Sequence, residues 1–339
     1  SQSIIADAQR SMNWYVETLE RQGGKVRSAL YPCPGMSLFA TIADGPGRGL
    51  FAENGRCFAT AHQTLYEVDS GGVVMSRGTL ATDGNTTTMA TNGEAGGELL
   101  IHSGARAYVL TLATNVLTNP LTSGADVAAM LDGFFLSLDT STTASQLRIS
   151  ELRDGQTWLA GQVSRRSKGS DPWRSLIVNH GDIWLMGEDS TEVWYNSGAA
   201  PYPFEPYPGL VIEYGIEAPW SLARVLDTVM WLARSREGGR MVVRAEGYRP
   251  VRVSTYTVET AMRGYATVDD AVGWSYEQDG HTFYVLNFPT ADACWVYDAV
   301  EGFWHERGFW DSDAALYRAY RPQFQAYVFG RLLTQDRLT

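Results

Sequence analysis

The feature that most constrains the fold of this chain is a crude unit that repeats from about residue 45 onward. Each unit has an apolar run, a turn rich in Gly, Asn or Asp, a second apolar run and often an aromatic pair near its end. Six successive units close at Tyr66, Tyr108, Trp158, Trp194, Val242 and Val296. Their mean spacing of 46 residues is typical of a four-stranded blade, and blades stacked around an axis share a core that none could build alone.

The fourth unit shows the pattern most clearly. Its apolar residues 176–178 lead into the turn 179–182, and the apolar run 183–186 follows. The period and the turns together predict an all-β, β-propeller-like fold of six or seven blades with an extended N-terminal arm. A β-sandwich and separate β-domains are the alternatives, because the spacing of the units varies from 36 to 54 residues.

Two segments lie outside the regular pattern. Residues 1–44 are predicted to form an N-terminal arm with a Pro-rich lead-in at 30–35, and residues 45–339 are predicted to form the propeller body. Within the arm, residues 5–19 fit either a short amphipathic helix or an extended strand. In residues 201–209 Pro recurs at every second or third position, which predicts a long, stiff loop with exposed aromatic side chains.

The composition agrees with many short strands joined by turns. Of the 339 residues, 34 are Gly, 12% are aromatic and only 19% are charged. The formal net charge of -11 is opposite to the positive balance of nucleic-acid-binding proteins, so a protein that grips DNA is not expected. No apolar stretch approaches the roughly 18 residues that a membrane span needs, and the first residues lack the pattern of a secretory signal.

The residue patterns of known catalytic sites are absent from the sequence. There is no Ser nucleophile elbow, no P-loop and no HExxH zinc helix. The five His residues are scattered, and Cys33, Cys57 and Cys294 form no CxxC pair, so free thiols are expected rather than a disulfide framework or a zinc site. We therefore predict no catalytic residue, no cofactor, no metal ligand and no enzymatic activity.

One turn keeps an enzymatic alternative open. Residues 154–158 (DGQTW) nearly match the Asp-box turn of sialidase-type propellers, which has one more residue between Asp and Gly. A complete Asp box is itself a structural turn, and a glycosidase needs two carboxylates about 5–10 Å apart, which the sequence cannot select among 38 acidic residues. The alternative function is a β-propeller glycosidase or carbohydrate-binding protein.

Charge is distributed unevenly along the chain. Residues 266–315 contain ten acidic residues and a single basic one, Arg307, whereas residues 231–252 carry a net charge of +4 and residues 145–175 are also net positive. Solvated blade edges would explain this pattern, and so would head-to-tail contacts in which the acidic edge of one copy meets a basic edge of the next. The candidate residues of a lumen or subunit interface are Asp269, Asp270, Glu277, Asp279, Asp292, Asp298, Glu301, Glu306, Arg165, Arg166, Arg234, Arg236 and Arg240.

A set of motifs resembles, in order and spacing, the packaged-DNA stabilisation or tail-hub (nozzle) proteins of short-tailed podovirus phages. The early motifs are NWYVE at 13–17 and LYPCPG at 30–35, and the central ones are DIWLMGEDSTEVWYNSG at 182–198, PF at 203–204 and IEYG at 212–215. The later motifs are GYRP at 247–250, VST at 253–255, GHTFY at 280–284, WVYD at 295–298 and WHER at 304–307. The resemblance covers nearly the whole chain and depends on the set rather than on any single motif.

That resemblance implies a virion structural protein, assembled in the cytoplasm of the host bacterium, with a propeller body. Several copies are expected to form a ring, expected to be a hexamer, below the portal and adaptor proteins. Such a ring would extend the DNA channel, help to retain the packaged genome and carry tail needle, tailspike or fibre proteins. DNA would pass through the lumen without specific binding, and the family carries over no catalytic residues.

Two further expectations follow from the resemblance. Relatives continue past the last blade into a further C-terminal region, whereas this sequence stops at Thr339. Either that region is missing or the final blade closes differently, and this puts needle or spike attachment in doubt. An acidic lumen wall would keep the duplex mobile, because each Lys or Arg contact with a phosphate adds affinity. Part of the acid cluster at 266–315 is therefore expected to face either the lumen or a neighbouring subunit. A propeller that serves as a monomeric binding platform is the remaining alternative.

Overall fold

The computed structural model describes residues 11–19, 27–140, 145–166 and 168–338. These residues form 31 strands, one α-helix and one 3₁₀ turn. In the N-terminal arm, β1 (Trp14–Leu19) and β2 (Arg27–Pro32) pair as an antiparallel hairpin, so the extended alternative is confirmed for the described part of the arm. Residues 1–10, where the helical alternative begins, lie outside the described residues.

The chain divides into two compact units. Ser1–Ser37 and Glu217–Gln323 form what we call the two-blade unit, and Leu38–Ile216 with Phe324–Thr339 form the four-blade unit. The sequence-based boundary between an arm and a single body at residue 44 stays a prediction.

The four-blade unit contains four antiparallel sheets, each made of four consecutive strands. Blade 1 has β3 (Gly47–Glu53), β4 (Arg56–Ala61), β5 (Thr64–Val68) and β6 (Val74–Thr79); blade 2 has β7 (Thr88–Thr91), β8 (Glu98–Ser103), β9 (Arg106–Thr111) and β10 (Val116–Leu121). Blade 3 has β11 (Val127–Leu131), β12 (Phe134–Asp139), β13 (Gln146–Ile149) and β14 (Val163–Arg165); blade 4 has β15 (Trp173–Asn179), β16 (Asp182–Gly187), β17 (Thr191–Asn196) and β18 (Phe204–Pro206). The first strands β3, β7, β11 and β15 lie side by side in that order.

Two further blades and one helix belong to the two-blade unit. After β19 (Tyr214–Ile216) and the 3₁₀ turn Pro219–Ser221, blade 5 has β20 (Ala223–Val225), β21 (Thr228–Ser235), β22 (Arg240–Glu246) and β23 (Arg249–Arg252). The helix α1 (Tyr256–Gly264) leads to blade 6, which has β24 (Val272–Gln278), β25 (His281–Phe288), β26 (Ala293–Asp298) and β27 (Trp304–Glu306). The first strands β20 and β24 are neighbours.

Two hairpins follow blade 6. The first is β28 (Gly308–Asp311) with β29 (Leu316–Ala319), and the second is β30 (Pro322–Val328) with β31 (Arg331–Asp336). Gln335 of β31 ties the chain end to blade 1, because its side chain accepts a hydrogen bond from the Gly49 N–H at 3.1 Å and donates one to the Thr60 carbonyl at 2.9 Å. The described residues therefore form six blade-type sheets, and the predicted all-β, β-propeller-like fold class is confirmed.

In four blades, a turn rich in Gly, Asn or Asp joins the first strand to the second. Two-residue hairpin loops occur at 54–55, 132–133, 180–181 and 279–280, in blades 1, 3, 4 and 6. All eight of these residues have positive φ, the conformation of a type I′ turn, which matches the twist of the flanking strands. An Asx or His residue followed by Gly meets that requirement at low cost, so the turn chemistry fixes the register of each hairpin.

Burial explains why the second strands appear in the sequence as continuous apolar runs rather than as alternating patterns. Every residue of β8, β16 and β25 is buried. A strand covered on both faces has no solvent side on which polar residues could alternate. In the two-blade unit, α1 adds Val258 and Met262 to the same core, and Thr255 accepts the Val258 N–H as its N-cap.

Residues 201–209 were predicted as a loop with exposed aromatics; the loop is confirmed outside residues 204–206, but the strand at 204–206 and the burial of the aromatic side chains contradict the prediction. The segment contains β18, the outer strand of blade 4, in register with β17. An outer strand bonds to one neighbour only, so it tolerates Pro residues that a central strand would exclude. Phe204 is 1% exposed because it points into the blade, and Tyr202 and Tyr207 are partly buried.

Candidate interaction surfaces

Blade 6 carries most of the predicted acidic residues, but at two opposite ends of the sheet. Because its strands are antiparallel, the β24–β25 and β26–β27 turns share one end, and the β25–β26 turn and the segment before β24 share the other. Glu277, Asp279 and Glu301 lie at the first end, and Asp269, Asp270 and Asp292 lie at the second. The acidic residues therefore form two groups rather than one continuous surface.

At the second end, backbone contacts hold the acidic groups in place. The Asp270 carboxylate accepts a hydrogen bond from the Thr290 N–H at 2.8 Å. Asp292 pairs with Arg318 at 3.0 Å and accepts the Ala319 N–H at 2.8 Å. These two carboxylates thus fasten loops to the blade as well as supplying charge.

Asp298 was expected at a surface, but the fold uses it internally. Its side chain is only 1% exposed, and Oδ2 lies 2.6 Å from Nδ1 of the buried His281. Oδ1 accepts the backbone N–H groups of Val300 and Glu301 at 3.0 and 3.2 Å, which caps the β26–β27 turn. Burial therefore removes Asp298 from the exposed surface of the chain.

The predicted basic residues of blade 5 gather at one hairpin. Arg234 and Arg240 are directly opposite each other on β21 and β22, and Arg236 lies in the turn between these strands. Two like charges in that position repel. Glu217 relieves the repulsion, since its carboxylate lies 2.8 Å from Nε of Arg240. The hairpin tip is thus a partly neutralised cationic surface.

Arg165 and Arg166 are neighbours in sequence but have different surroundings. Arg165 is exposed at the end of β14, and within the described residues it makes no side-chain ion pair. The Arg166 side chain is only 6% exposed and lies between Asp171 at 3.2 Å and Glu192 at 3.3 Å. Arg165 therefore remains a candidate surface residue, whereas Arg166 is a structural one.

The N-terminal arm occupies the outer edge of blade 6, where Glu306 of β27 is found. The Glu306 N–H donates to the Ser11 carbonyl at 2.9 Å, and the Asn13 N–H donates to the Glu306 carbonyl at 2.9 Å. Met12 and Glu306 form a parallel bridge, so residues 11–13 extend the sheet by one strand. The Glu306 backbone is thereby used for arm docking, which sequence reasoning did not predict.

Tyr15 anchors the arm next to an unusual buried arginine. The Tyr15 ring is 4% exposed and contacts Phe283 edge-on, with ring centroids 5.2 Å apart. Phe283, Tyr276 and Tyr320 surround the guanidinium of Arg307, with centroids 4.9, 5.1 and 5.8 Å from its carbon. The Arg307 Nε lies 3.2 Å from Nε2 of His305. We call these groups the arginine cage.

The arginine cage holds its histidine neutral. Burial, and secondarily the Arg307 charge, lowers the pKa of His305 to about 3. A neutral Nε2 can then accept the Arg307 N–H. Arg307 was noted only as the single base within an acidic segment, because no periodicity or motif indicates which rings converge on a guanidinium in the fold.

A cavity with an aromatic wall lies in blade 3. We call it the blade-3 pocket: it has a volume of about 340 Å³ and is lined by Leu121, Gln146, Arg148, Ile149, Trp158, Leu159, Ala160 and Val163. Its polar lining groups are an amide and a guanidinium, and no carboxylate is among them, so it does not match the paired acids of a glycosidase. The Asp154 turn next to it is structural: Asp154 accepts the Gln156 N–H at 2.9 Å, and the Trp158 indole N–H donates to the Gly155 carbonyl at 2.7 Å.

Metal-binding clusters and membrane-spanning helices are both missing from the described residues. No group of three or more His, Cys, Asp or Glu residues in the described ranges is arranged to hold a metal ion. The one α-helix within those same ranges is neither long nor apolar enough to cross a membrane.

Comparison with known proteins identifies a family and confirms the fold. The family model described as Bacteriophage P22 Gp10, beta-propeller, matches residues 12–338. A chain in the crystal structure of the mitotic checkpoint complex is 11% identical with a TM-score of 0.51, covering 94% of this chain and 95% of that chain. The N-terminal domain of Nup159 matches 85% of both chains at 8% identity and a TM-score of 0.49. The first of these structures shows likeness of fold alone, and no curated protein matches the chain.

Proposed function

We propose, from the premise that this chain belongs to the phage stabilisation family described as Bacteriophage P22 Gp10, beta-propeller, that it is a structural protein of a short phage tail. The family is structural rather than catalytic. Copies of the chain form a ring below the portal and adaptor proteins, extend the DNA channel and help to retain the packaged genome. The observation that carries this proposal is the match over residues 12–338, which includes all six blades.

Electrostatics supports passage of DNA rather than binding. The net charge of -11 opposes accumulation of phosphate at the surface, and Glu277 and Asp279 are exposed at one end of blade 6. A duplex that must leave the particle quickly moves more freely along a wall that releases no counterions on contact. We assign this end of blade 6 to the lumen or to a neighbouring copy.

A ring of identical copies needs a head-to-tail contact between two different surfaces. The chain offers acidic groups on blade 6 and cationic ones at Arg165 and at the blade 5 hairpin. Modest contacts of this kind gain strength when many copies bind one template, such as an adaptor ring. The outer face of the assembled ring would carry the needle, tailspike or fibre proteins.

DNA retention tests the proposal directly. Genome-filled heads that carry the portal and adaptor but lack this protein are incubated with the purified chain, and nuclease-sensitive DNA is measured over time. We expect the chain to keep most of the genome nuclease-resistant, whereas an unrelated protein of equal net charge leaves release unchanged. Equal DNA loss with and without the chain would exclude a role in genome retention.

A further inference from the structure

The β28–β29 hairpin presents an aromatic pair to solvent. Trp310 and Tyr317 are directly opposite each other in the two strands, and their rings meet edge to face with centroids 5.2 Å apart. They are 55% and 46% exposed, and Leu316 beside them is 40% exposed. Trp and Tyr are the side chains that most often carry the binding energy of protein interfaces. We call Trp310, Leu316 and Tyr317 the aromatic hairpin.

The base of this hairpin is fixed to the two-blade unit. Asn13 donates from its side chain to the Gly308 carbonyl at 2.9 Å and accepts the Gly308 N–H at 3.0 Å. On the second strand, the Ala319 N–H donates to Asp292 at 2.8 Å. A hairpin held at both strands loses little freedom on binding, which favours its use as a contact surface.

The tip of the aromatic hairpin is acidic. Asp311 pairs with Arg318 at 3.4 Å, and hydrogen bonding, first from the Ala314 N–H, lowers the pKa of its carboxyl group. Asp313 is exposed in the turn two residues later. The surface therefore combines two large rings with a carboxylate at the end of the same turn.

The blade-3 pocket has the complementary chemistry. Apolar side chains and the Trp158 indole line it, and a volume of about 340 Å³ lies at the lower end of the range for ligand pockets, enough for one ring-bearing side chain. Arg148 lines the pocket, and Arg165 lies on the same sheet face, because Gln146 of the lining is its partner in the β13–β14 register. Arg148 pairs with Asp139 at 3.5 Å, so the positive charge beside the apolar hollow is that of the exposed Arg165.

We propose that the aromatic hairpin of one copy of this chain docks into the blade-3 pocket of the next copy. Trp310 enters the apolar hollow, and the Asp313 carboxylate meets the guanidinium of Arg165. A second copy is the occupant that both surfaces fit, because the rings match the indole-lined pocket and the acidic tip matches the positive charge of Arg165 beside it. The contact joins two different surfaces, as a closed ring requires. This inference rests on the ring-forming function proposed above.

Cysteine cross-linking tests the contact. Asp313→Cys and Arg165→Cys are made as separate variants. The two variants are mixed, with and without an adaptor ring of the same phage, and treated with a short bismaleimide. We expect a covalent dimer only in the mixture that contains both variants, since Cys57 and Cys294 are buried and the wild-type chain controls for Cys33. A mixture of Tyr327→Cys with Arg165→Cys is the matched control, because Tyr327 is 72% exposed on the other hairpin.

Affinity measurements distinguish the contribution of the Trp310 side chain from that of the ion pair between Asp313 and Arg165. Trp310→Ala is expected to weaken self-association about tenfold, whereas Tyr327→Ala changes it less than about twofold. Arg165→Glu and Asp313→Arg each weaken association about threefold, and the double variant restores it, because the reversed charges attract again. Circular dichroism of each variant confirms that the fold is retained.

The outcomes distinguish failure of the docking contact from failure of the proposed ring function. If the wild-type chain forms rings but the mixture gives no cross-link, or Trp310→Ala assembles normally, the docking contact is wrong and the ring function stands. Binding of a carbohydrate or of a fibre protein at the pocket, with assembly unaffected, overturns the docking contact in the same way. If the wild-type chain does not self-associate even on the adaptor, the ring function itself fails.

Discussion

The two units of this chain bury arginine in two different ways. In the four-blade unit, Arg166 lies between two carboxylates, and Glu192, its partner at 3.3 Å, is completely buried. In the two-blade unit, Arg307 is 2% exposed, and among the described residues no carboxylate lies within ion-pair distance of it. Three aromatic rings and a neutral imidazole surround its guanidinium instead.

This difference shows that a buried arginine can be stabilised either by an ion pair or by contacts with neutral groups. A buried ion pair stabilises through mutual compensation, so removal of one partner leaves an uncompensated charge in a medium of low dielectric. A guanidinium within rings is held by cation–π attraction and packing, and its removal leaves neutral neighbours. The ion pair should therefore be far less tolerant of substitution than the arginine cage.

The largest effect is expected when the ion pair is broken. Arg166→Met leaves Glu192 buried without its cationic partner, so we expect a loss of about 3–5 kcal/mol in the free energy of unfolding, measured with urea. Arg165→Met, one residue away and exposed, is the matched control and should change that free energy by less than about 0.5 kcal/mol. Equal effects of the two substitutions would show that the ion pairs of Arg166 do not contribute to the free energy of unfolding.

A smaller effect is expected in the arginine cage. Arg307→Met keeps the length and most of the apolar contacts of the side chain, and no carboxylate is left unpaired. We expect a change of about 1–2 kcal/mol in the free energy of unfolding, the range of a desolvated cation–π contact. A loss as large as that of Arg166→Met would reveal that Arg307 has a charge partner in solution and would remove the contrast between the units.

Near neutral pH the smallest effect comes from His305, because its contribution changes only as the pH falls below 6.5. The folded-state pKa of His305 lies at about 3, below the ordinary value of 6.5, so the unfolded chain binds a proton first as the pH falls. Stability attributable to His305 is complete above pH 6.5 and falls by up to about 1.4 kcal/mol per pH unit between 6.5 and 3. His305→Gln should lose this part of the slope in urea titrations at pH 7, 6 and 5. An unchanged slope would show that the fold does not lower the pKa of His305.

Most of the fold was accessible from the sequence because it depends on local patterns. The turns at 54–55, 132–133, 180–181 and 279–280 require positive φ at both positions, and few residue types accept that conformation. Continuous apolar runs indicated the buried second strands. The strand at residues 204–206 of the Pro-rich segment was missed because tertiary structure places these residues at the outer edge of blade 4.

The interaction surfaces were less accessible because charge patterns do not indicate burial. Asp298 and Arg166 looked like surface residues in charged segments, yet each satisfies partners that come from elsewhere in the fold. Docking of residues 11–13 on β27 depends on contacts between positions almost 300 residues apart, and the three rings around Arg307 come from β24, β25 and the residue after β29. Only the folded chain brings such groups together.

The mass of the assembled protein is the most direct test of ring formation. Native mass spectrometry is performed on the purified chain alone and after mixing with the adaptor ring of the same phage. We expect a weakly associating chain that forms a closed ring of several copies on the adaptor, because multivalent binding strengthens modest contacts. A chain that stays monomeric at high concentration and also fails to add to the adaptor would contradict the assignment as a tail ring.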